Sequence, residues 1–182
     1  MKFNKKIVLA MASLGLVATM AIGGTLAYFT DSDSKENVIT MGKVDISLVE
    51  TSKSDKHEDI ENGIKYTEVM PGDQLSKDVD VVVEEGSRDA YIAVKIDITG
   101  VAEDVELPAL DVKEGWVLKD GLYIYSKTVS AGDVIDVFDV VSVPAAWTEA
   151  YDFNIEITAY AIQAKNVDET IAASELKKLA GM

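Results

Sequence analysis

The chain has 182 residues, no cysteine and a formal net charge of −15, from 17 basic and 32 acidic residues. This length is enough for one ordinary domain with its own core, and the lack of cysteine excludes disulfides and thiolate sites. Binding to nucleic acid requires clustered cations that displace counterions from the phosphates. We therefore expect no nucleic-acid partner.

Residues 1–27 predict a secretory signal peptide. A positively charged start precedes an almost wholly apolar run over residues 7–22, and small residues follow it, as in secretory signals. Thr25 and Ala27 stand where a signal peptidase requires small side chains, so cleavage would leave Tyr28 as the new N-terminus. The positive charges of this segment are Lys2, Lys5 and Lys6.

Cleavage would also change the charge, because it removes three lysines and no acid. The net charge would fall from −15 to −18. The alternative is an uncleaved anchor, since residues 7–29 are long enough to span a bilayer, which takes about 20 residues. Contact with the membrane is expected only through this uncleaved segment.

Residues 28–41 are predicted to be a flexible N-terminal segment that can act as a donor strand. Residues 31–37 are polar, and apolar side chains flank them. A free segment of this kind can add a strand to an exposed sheet edge of another copy. The alternative is that it folds back on its own domain, and the sequence leaves both open. The apolar residues are Tyr28, Phe29, Val38, Ile39 and Met41.

Residues 42–182 are predicted to form one β-sandwich domain. Apolar residues alternate with polar ones in four stretches, which is typical of half-buried strands: 43–50, 75–84, 90–99 and 151–163. A short strand is predicted over 64–69 and a central strand over 134–143, and Asp120-Gly121 predicts a tight hairpin within 116–127. Short strands joined by glycine turns indicate an all-β, antiparallel sandwich of jelly-roll type.

Two other elements are predicted in this domain. Residues 51–63 are charged and polar, which predicts a surface loop. Residues 166–179 predict a short C-terminal helix, with a capping box from Asn166 to Glu169. Its apolar stripe would consist of Ile171, Leu176 and Leu179.

A weak internal repeat appears at an offset of 60 residues. Residues 69–73 and 129–133 share a valine, a glycine and an aspartate at matching positions. Downstream, Val81 and Val83 match Val141 and Val143. We interpret the repeat as two similar turn–strand units within one sandwich.

The sequence offers no catalytic site and predicts no bound cofactor. Catalytic zinc commonly takes two or three histidines, whereas the chain has one, His57, within the charged stretch 53–59. Carboxylates alone favour calcium over zinc, so calcium is the ion we consider, with solvated acidic loops as the alternative. The carboxylates available are Asp31, Asp33, Asp55, Glu58, Asp59 and Glu61.

The end of the leader and the first strand resemble the TasA/camelysin family. Residues 23–31, Gly-Gly-Thr-Leu-Ala-Tyr-Phe-Thr-Asp, followed by residues 38–48, are similar to the start of these secreted Gram-positive proteins. Residues 70–78 resemble a turn and strand of TasA, and residues 153–166 resemble the last strand of the family. The resemblance implies processing by a signal peptidase of SipW type, a jelly-roll sandwich and, for TasA, assembly into biofilm matrix fibres.

Three functions stay open at this level. The first is a secreted structural protein of the extracellular matrix or cell surface, a fibre subunit whose partners are other copies of itself or related matrix proteins. The second is a monomeric surface module that binds a polymer or host ligand. The third, a camelysin-like metalloprotease, is disfavoured by the missing zinc ligands. The candidate contacts of the second are Trp116, Tyr123, Tyr125 and Trp147.

Overall fold

The structure, a computed structural model, describes residues 30–33, 44–61, 63–149 and 151–182. It contains the strands β1 (Thr30–Asp33), β2 (Ile46–Thr51), β3 (His57–Ile60), β4 (Gly63–Tyr66), β5 (Gln74–Val83), β6 (Ala90–Thr99), β7 (Ala109–Leu110), β8 (Trp116–Lys119), β9 (Leu122–Tyr125), β10 (Val134–Ser142) and β11 (Asn154–Gln163). One helix, α1 (Glu169–Leu179), follows them. The predicted signal peptide lies outside the described residues.

The strands form two facing sheets and a separate hairpin. Sheet A has the order β1-β11-β6-β9-β8, sheet B has the order β2-β5-β10-β7, and β3 pairs with β4. Every strand pair is antiparallel. This arrangement confirms the prediction of an all-β antiparallel sandwich with a short C-terminal helix.

The core lies between the sheets and follows from the alternation in the sequence. On β5, Val79, Val81 and Val83 are fully buried, and on β6, Ile92 and Val94 are fully buried. These side chains pack into one cluster with Phe138 of β10. Each buried side chain of this size contributes roughly 1.5–3 kcal/mol of transfer free energy, so the alternating strands supply the main stabilisation.

The outer faces of the two sheets differ. The helix α1 lies on the outer face of sheet A, where Ala172 and Leu176 pack with Ala93, Leu122 and Tyr160. Both faces of β6 are therefore buried around Ala93. Among the described residues, no helix covers the outer face of sheet B.

The helix begins later than the sequence predicts. Asp168 is its N-cap, and the Asp168 Oδ1 atom accepts hydrogen bonds from the backbone N–H groups of Thr170 and Ile171, both at 2.9 Å. Asn166 has a φ of 63°, outside the helix. The predicted capping box is therefore wrong, because a nearer carboxylate satisfies the first N–H groups.

The predicted apolar stripe of the helix also needs correction. Ile171 is 40% exposed, whereas Ala172 and Leu176 are buried. The position of the cap sets the rotation of the helix, and the small Ala172 side chain lets the helix lie close to the sheet. Leu176 and Leu179 do pack with the sheet A cluster, as predicted.

The predicted surface loop over residues 51–63 is partly wrong, because β3 and β4 form a hairpin there with His57 opposite Tyr66. The hairpin has exposed residues on both faces of β3, so no apolar alternation marks it in the sequence. It is held against the sandwich where the Tyr66 hydroxyl donates a hydrogen bond to the backbone carbonyl of Ser76.

The two repeated turns have matching hydrogen bonds. In the first, the Asp73 side chain accepts from the N–H of Met70, and the N–H of Gly72 donates to the carbonyl of Val143. In the second, Asp133 accepts from Ser130, and Gly132 donates to Val83 in the same way. The first turn precedes β5 and bonds to the residue after β10, and the second precedes β10 and bonds to the last residue of β5. An approximate two-fold axis therefore relates the two turn–strand units.

Candidate functional site

The candidate site is the outer edge of sheet A, where β1 pairs with β11. The register joins Thr30 to Ile162, Asp31 to Ala161, Ser32 to Tyr160 and Asp33 to Ala159. Residues 30–33 of the predicted donor segment thus pair with their own domain, the arrangement that the sequence left open as the alternative. The strand β1 is thus paired with β11 at four residue positions.

The strand β11 is longer than the strand that covers it. On its inner side all ten residues of β11 pair with β6, from Asn154 with Thr99 to Gln163 with Ala90. On its outer side, among the described residues, β1 reaches only residues 159–162. Within the described part of the chain, no strand pairs with the outer side of residues 154–158.

The core side of β11 is apolar from Ile155 to Ala161. Ile155, Ile157, Ala159 and Ala161 all pack in the main cluster. The remaining predicted donor and cleavage residues lie outside the described residues: Thr25, Ala27, Tyr28, Phe29, Val38, Ile39 and Met41.

The structure brings acids together at a place that the sequence analysis missed. Carboxylate oxygens of Asp78, Asp80 and Asp136 lie within 4.8 Å of one another on sheet B. Asp136 of β10 is directly opposite Asp80 of β5. Their spacing in the sequence carries no signal, because the strand register creates the cluster.

Burial is the main cause of the raised pKa values of Asp80 and Asp136. It raises the pKa of Asp80 above the ordinary 3.8, and the neighbouring charge of Asp78 raises it further. Burial also raises the pKa of Asp136, with added repulsion from Asp80 and an opposing effect of Lys113. The cluster is thus a point of electrostatic strain on the outer face of sheet B.

Replacing Asp80 with asparagine is expected to stabilise the fold at pH 7. Like charges directly opposite each other on adjacent strands cost roughly 0.2–1 kcal/mol. Because the folded-state pKa is raised, the wild type regains this free energy as the pH falls through the raised pKa. The gain of Asp80→Asn should therefore shrink between pH 7 and pH 4 in urea unfolding.

The control for this prediction is Asp55→Asn, which removes one charge from an exposed position. It should change the unfolding free energy less than Asp80→Asn does. Equal gains for both variants would mean that net charge, and not the opposed pair, sets the effect.

The acids that the sequence suggested for calcium lie elsewhere. Glu58 and Asp59 are exposed on β3, and Asp55 precedes that strand. His57 in the same hairpin contacts the carbonyl of Ser54 through Nδ1 and lies 3.7 Å from Asp59 through Nε2.

The aromatic contacts suggested for a binding module are mostly internal. Trp116 and Trp147 are buried. The Trp116 indole N–H donates to the backbone carbonyl of Asp136, and that of Trp147 donates to the carbonyl of Glu106, both at 2.8 Å. Tyr123 and Tyr125 are half-buried against the main core. They therefore form no exposed aromatic surface.

A small recess lies between sheet A and the helix. Its volume is about 120 Å³, and Tyr91, Val117, Ile124 and Ala172 are among the residues that line it. Pockets for small molecules usually measure about 300–1,000 Å³. The recess is too small for a ligand of that kind.

Within the part of the chain that the structure describes, no helix is long and apolar enough to cross a membrane.

No solved structure matches the chain. The comparison with curated proteins finds the major biofilm matrix component of Bacillus subtilis (strain 168), which is 35% identical over 78 residues. The match covers 43% of this chain and 26% of that protein, so the chain spans about a quarter of its relative's length.

A family model described as camelysin metallo-endopeptidase matches residues 2–106, which is more than half of the chain. The matched part includes β1 to β6 and the turn between residues 70 and 73. The relative and the family model both agree with the resemblance carried by residues 23–31. The chain belongs to the TasA/camelysin family.

Proposed function

We propose that the protein is a secreted structural subunit of the extracellular biofilm matrix, which assembles by donor-strand exchange between copies. The observation that carries the proposal is the pairing of β1 with the outer edge of β11 through four backbone positions. In the assembled form, the N-terminal segment of one copy would take this place on the next copy. The similarity to a biofilm matrix component supports the same reading.

The register supports the length of the proposed donor strand. If the pairing of Asp33 with Ala159 continued along the same line, residue 38 would reach Asn154 and residue 29 would reach Gln163. A donor of about ten residues would then cover the whole of β11. That length agrees with the segment 28–41 defined from the sequence.

The exchange would keep the contacts and change only which copy supplies them. Exchanging an identical element between copies has a low free-energy cost, because the same backbone hydrogen bonds form in both states. The contact is head-to-tail, with a donor at one place and an acceptor at another. Head-to-tail contacts that do not close into a ring produce filaments.

Charge opposes this assembly. After the predicted cleavage the chain would carry −18, which repels other copies at low salt. At physiological ionic strength charges are screened over about 8 Å. Assembly should therefore be faster at higher salt or lower pH.

The absence of cysteine allows a direct test. Asp31→Cys and Ala161→Cys place two thiols at directly opposed positions, within the distance that a disulfide requires. In one chain, the oxidised pair should hold the strand on its own domain and stop fibre growth, and reduction should restore it. Light scattering and electron microscopy follow the assembly, and N-terminal sequencing of secreted protein checks for a start at Tyr28.

Two further samples complete the test. The single variants Asp31→Cys and Ala161→Cys, when mixed, should give disulfide-linked oligomers during assembly. As a control, Asp31→Cys mixed with Ser174→Cys should give none, because Ser174 lies on the exposed side of α1. A chain starting at Gly42 should remain monomeric. Fibre growth by the locked or the shortened protein at the normal rate would exclude donor-strand exchange, and stable monomers of the normal protein would favour a surface binding module.

We also infer that the protein has no peptidase activity, although its family carries that description. The inference rests on one histidine and no cysteine in the entire chain, too few ligands for the usual catalytic zinc. Casein should remain intact with the purified protein, and His57→Ala should behave identically. Cleavage that disappears both with a chelator and in His57→Ala would refute the inference.

A further inference from the structure

A buried ion pair lies beneath the edge of sheet B. Lys77 is 5% exposed, the one charged residue that is buried among the described residues. The Lys77 Nζ atom lies 2.7 Å from Glu50 Oε2. Lys77 belongs to β5 and Glu50 belongs to β2, which is the outermost strand of sheet B.

Both side chains point into the sandwich. Lys77 follows the alternation of Leu75 and Val79, which are buried in the core. Glu50 follows that of Ile46 and Leu48, which also pack in the core cluster. An edge strand thus carries a charged residue on its core side.

The strands β7, β8 and β11 lack this feature, whereas Asp31 and Asp33 of β1 lie opposite Ala161 and Ala159 of β11. The core side of β8 carries Trp116, and β7 consists of Ala109 and Leu110. The acceptor strand β11 is apolar on its core side. Among β2, β7, β8 and β11, only β2 has a charge there.

We propose that the Lys77–Glu50 ion pair closes the β2 edge of sheet B to strands from other copies. A strand added beside β2 would place its inward side chains against the Glu50 carboxylate and would remove the remaining water from it. Inward-pointing charges on edge strands prevent pairing in this way.

Stability alone does not account for the pair. Two charges lose their hydration on burial, and apolar side chains of similar volume are often equally stabilising in such places. The surrounding Leu75 and Val79 side chains already provide an apolar environment. A role in protecting the β2 edge explains why a charge at this position is useful.

The test uses two double variants, Lys77→Met/Glu50→Leu and Lys77→Met/Glu50→Gln, expressed from the full chain and purified in the form that the host releases. Both remove the charges. Under low-salt conditions that keep the wild type monomeric, both should form soluble oligomers, measured by light scattering after gel filtration. The charge-swapped Lys77→Glu/Glu50→Lys protein should remain monomeric.

A matched pair of third substitutions locates the new contact. Val49 on β2 and Val117 on β8 are both exposed edge-strand valines, at 41% and 45%. Adding Val49→Lys to either double variant should restore the monomer, whereas adding Val117→Lys should not. Circular dichroism checks the fold of each protein.

Every outcome decides the proposal. Folded double variants that remain monomeric would overturn it, as would oligomers that Val49→Lys fails to dissolve. If neither double variant folds, the pair is needed for the fold itself and the proposal is also wrong. The test does not depend on whether the wild type makes fibres, so donor-strand exchange can fail separately.

Discussion

Lys77→Ala is expected to lower the free energy of unfolding by about 3–5 kcal/mol, because it leaves the Glu50 carboxylate partly buried without its counter-charge. Glu50 Oε2 lies 2.7 Å from the Lys77 ammonium group. It also lies beneath the β3–β4 hairpin, where a side chain at Gly63 would approach it to 3.1 Å. Small domains have about 5–15 kcal/mol of stability in total, so the loss would be a large part.

The measurement is urea unfolding of Lys77→Ala beside Lys95→Ala. Lys95 also forms an ion pair at 2.7 Å, with Asp97, but on the surface of sheet A. Exposed pairs contribute little to stability, so Lys95→Ala should leave the unfolding midpoint nearly unchanged. Similar midpoints for both variants would show that water reaches Glu50 and replaces its partner.

The long strands could be predicted because burial on one face leaves a two-residue period in the sequence. Residues 90–99 were predicted as a strand and form β6 with those bounds. The hairpin at Asp120-Gly121 was also correct, since both residues have positive φ values, 51° and 84°, as a tight primed turn requires. In these elements the local sequence and the final packing favour the same structure.

The errors arise where partners distant in the sequence decide the structure. The strand β3 has no apolar face, and the hairpin is held by the hydrogen bond from Tyr66 to Ser76. The alternation places Lys77 on the same face as Leu75 and Val79, but Glu50 can be named as its partner only after β2 and β5 pair. The opposition of Asp80 and Asp136 likewise exists only after β5 and β10 pair.

The candidate site could be predicted in part. The sequence marked residues 28–41 as a strand able to pair with a sheet edge, and residues 30–33 do form an edge strand. The sequence could not name β11 as the acceptor, because the order of strands in a sandwich is set by the packing of the whole domain. It also could not choose between pairing within one copy and pairing between copies, since both use the same hydrogen bonds.

Trp116→Ala is expected to destabilise the protein by about 3–5 kcal/mol, the usual effect of deleting a buried aromatic side chain. The indole ring lies 5.1 Å from the ring of Tyr125 and packs in the main core. Its N–H donates to the carbonyl of Asp136 at 2.8 Å. This hydrogen bond joins β8 of sheet A to β10 of sheet B.

Two comparison variants separate the contributions of Trp116. Trp116→Phe keeps most of the apolar area and loses the hydrogen bond, so it should cost about 0.5–1.5 kcal/mol beyond any change in packing. Val117→Ala changes the next residue, whose side chain is 45% exposed, and should remain within about 0.5 kcal/mol of the wild type.

The stability of Trp116→Ala also distinguishes a structural role of the indole ring from a role in ligand binding. A tryptophan that serves to contact a ligand stands in solvent, and its removal leaves the stability of the free protein nearly intact. A large loss of unfolding free energy in Trp116→Ala, measured without any ligand, would assign the ring to the junction between the sheets. If Trp116→Ala proved as stable as Val117→Ala, the indole would be free for binding, and the surface-module function would regain its main candidate residue.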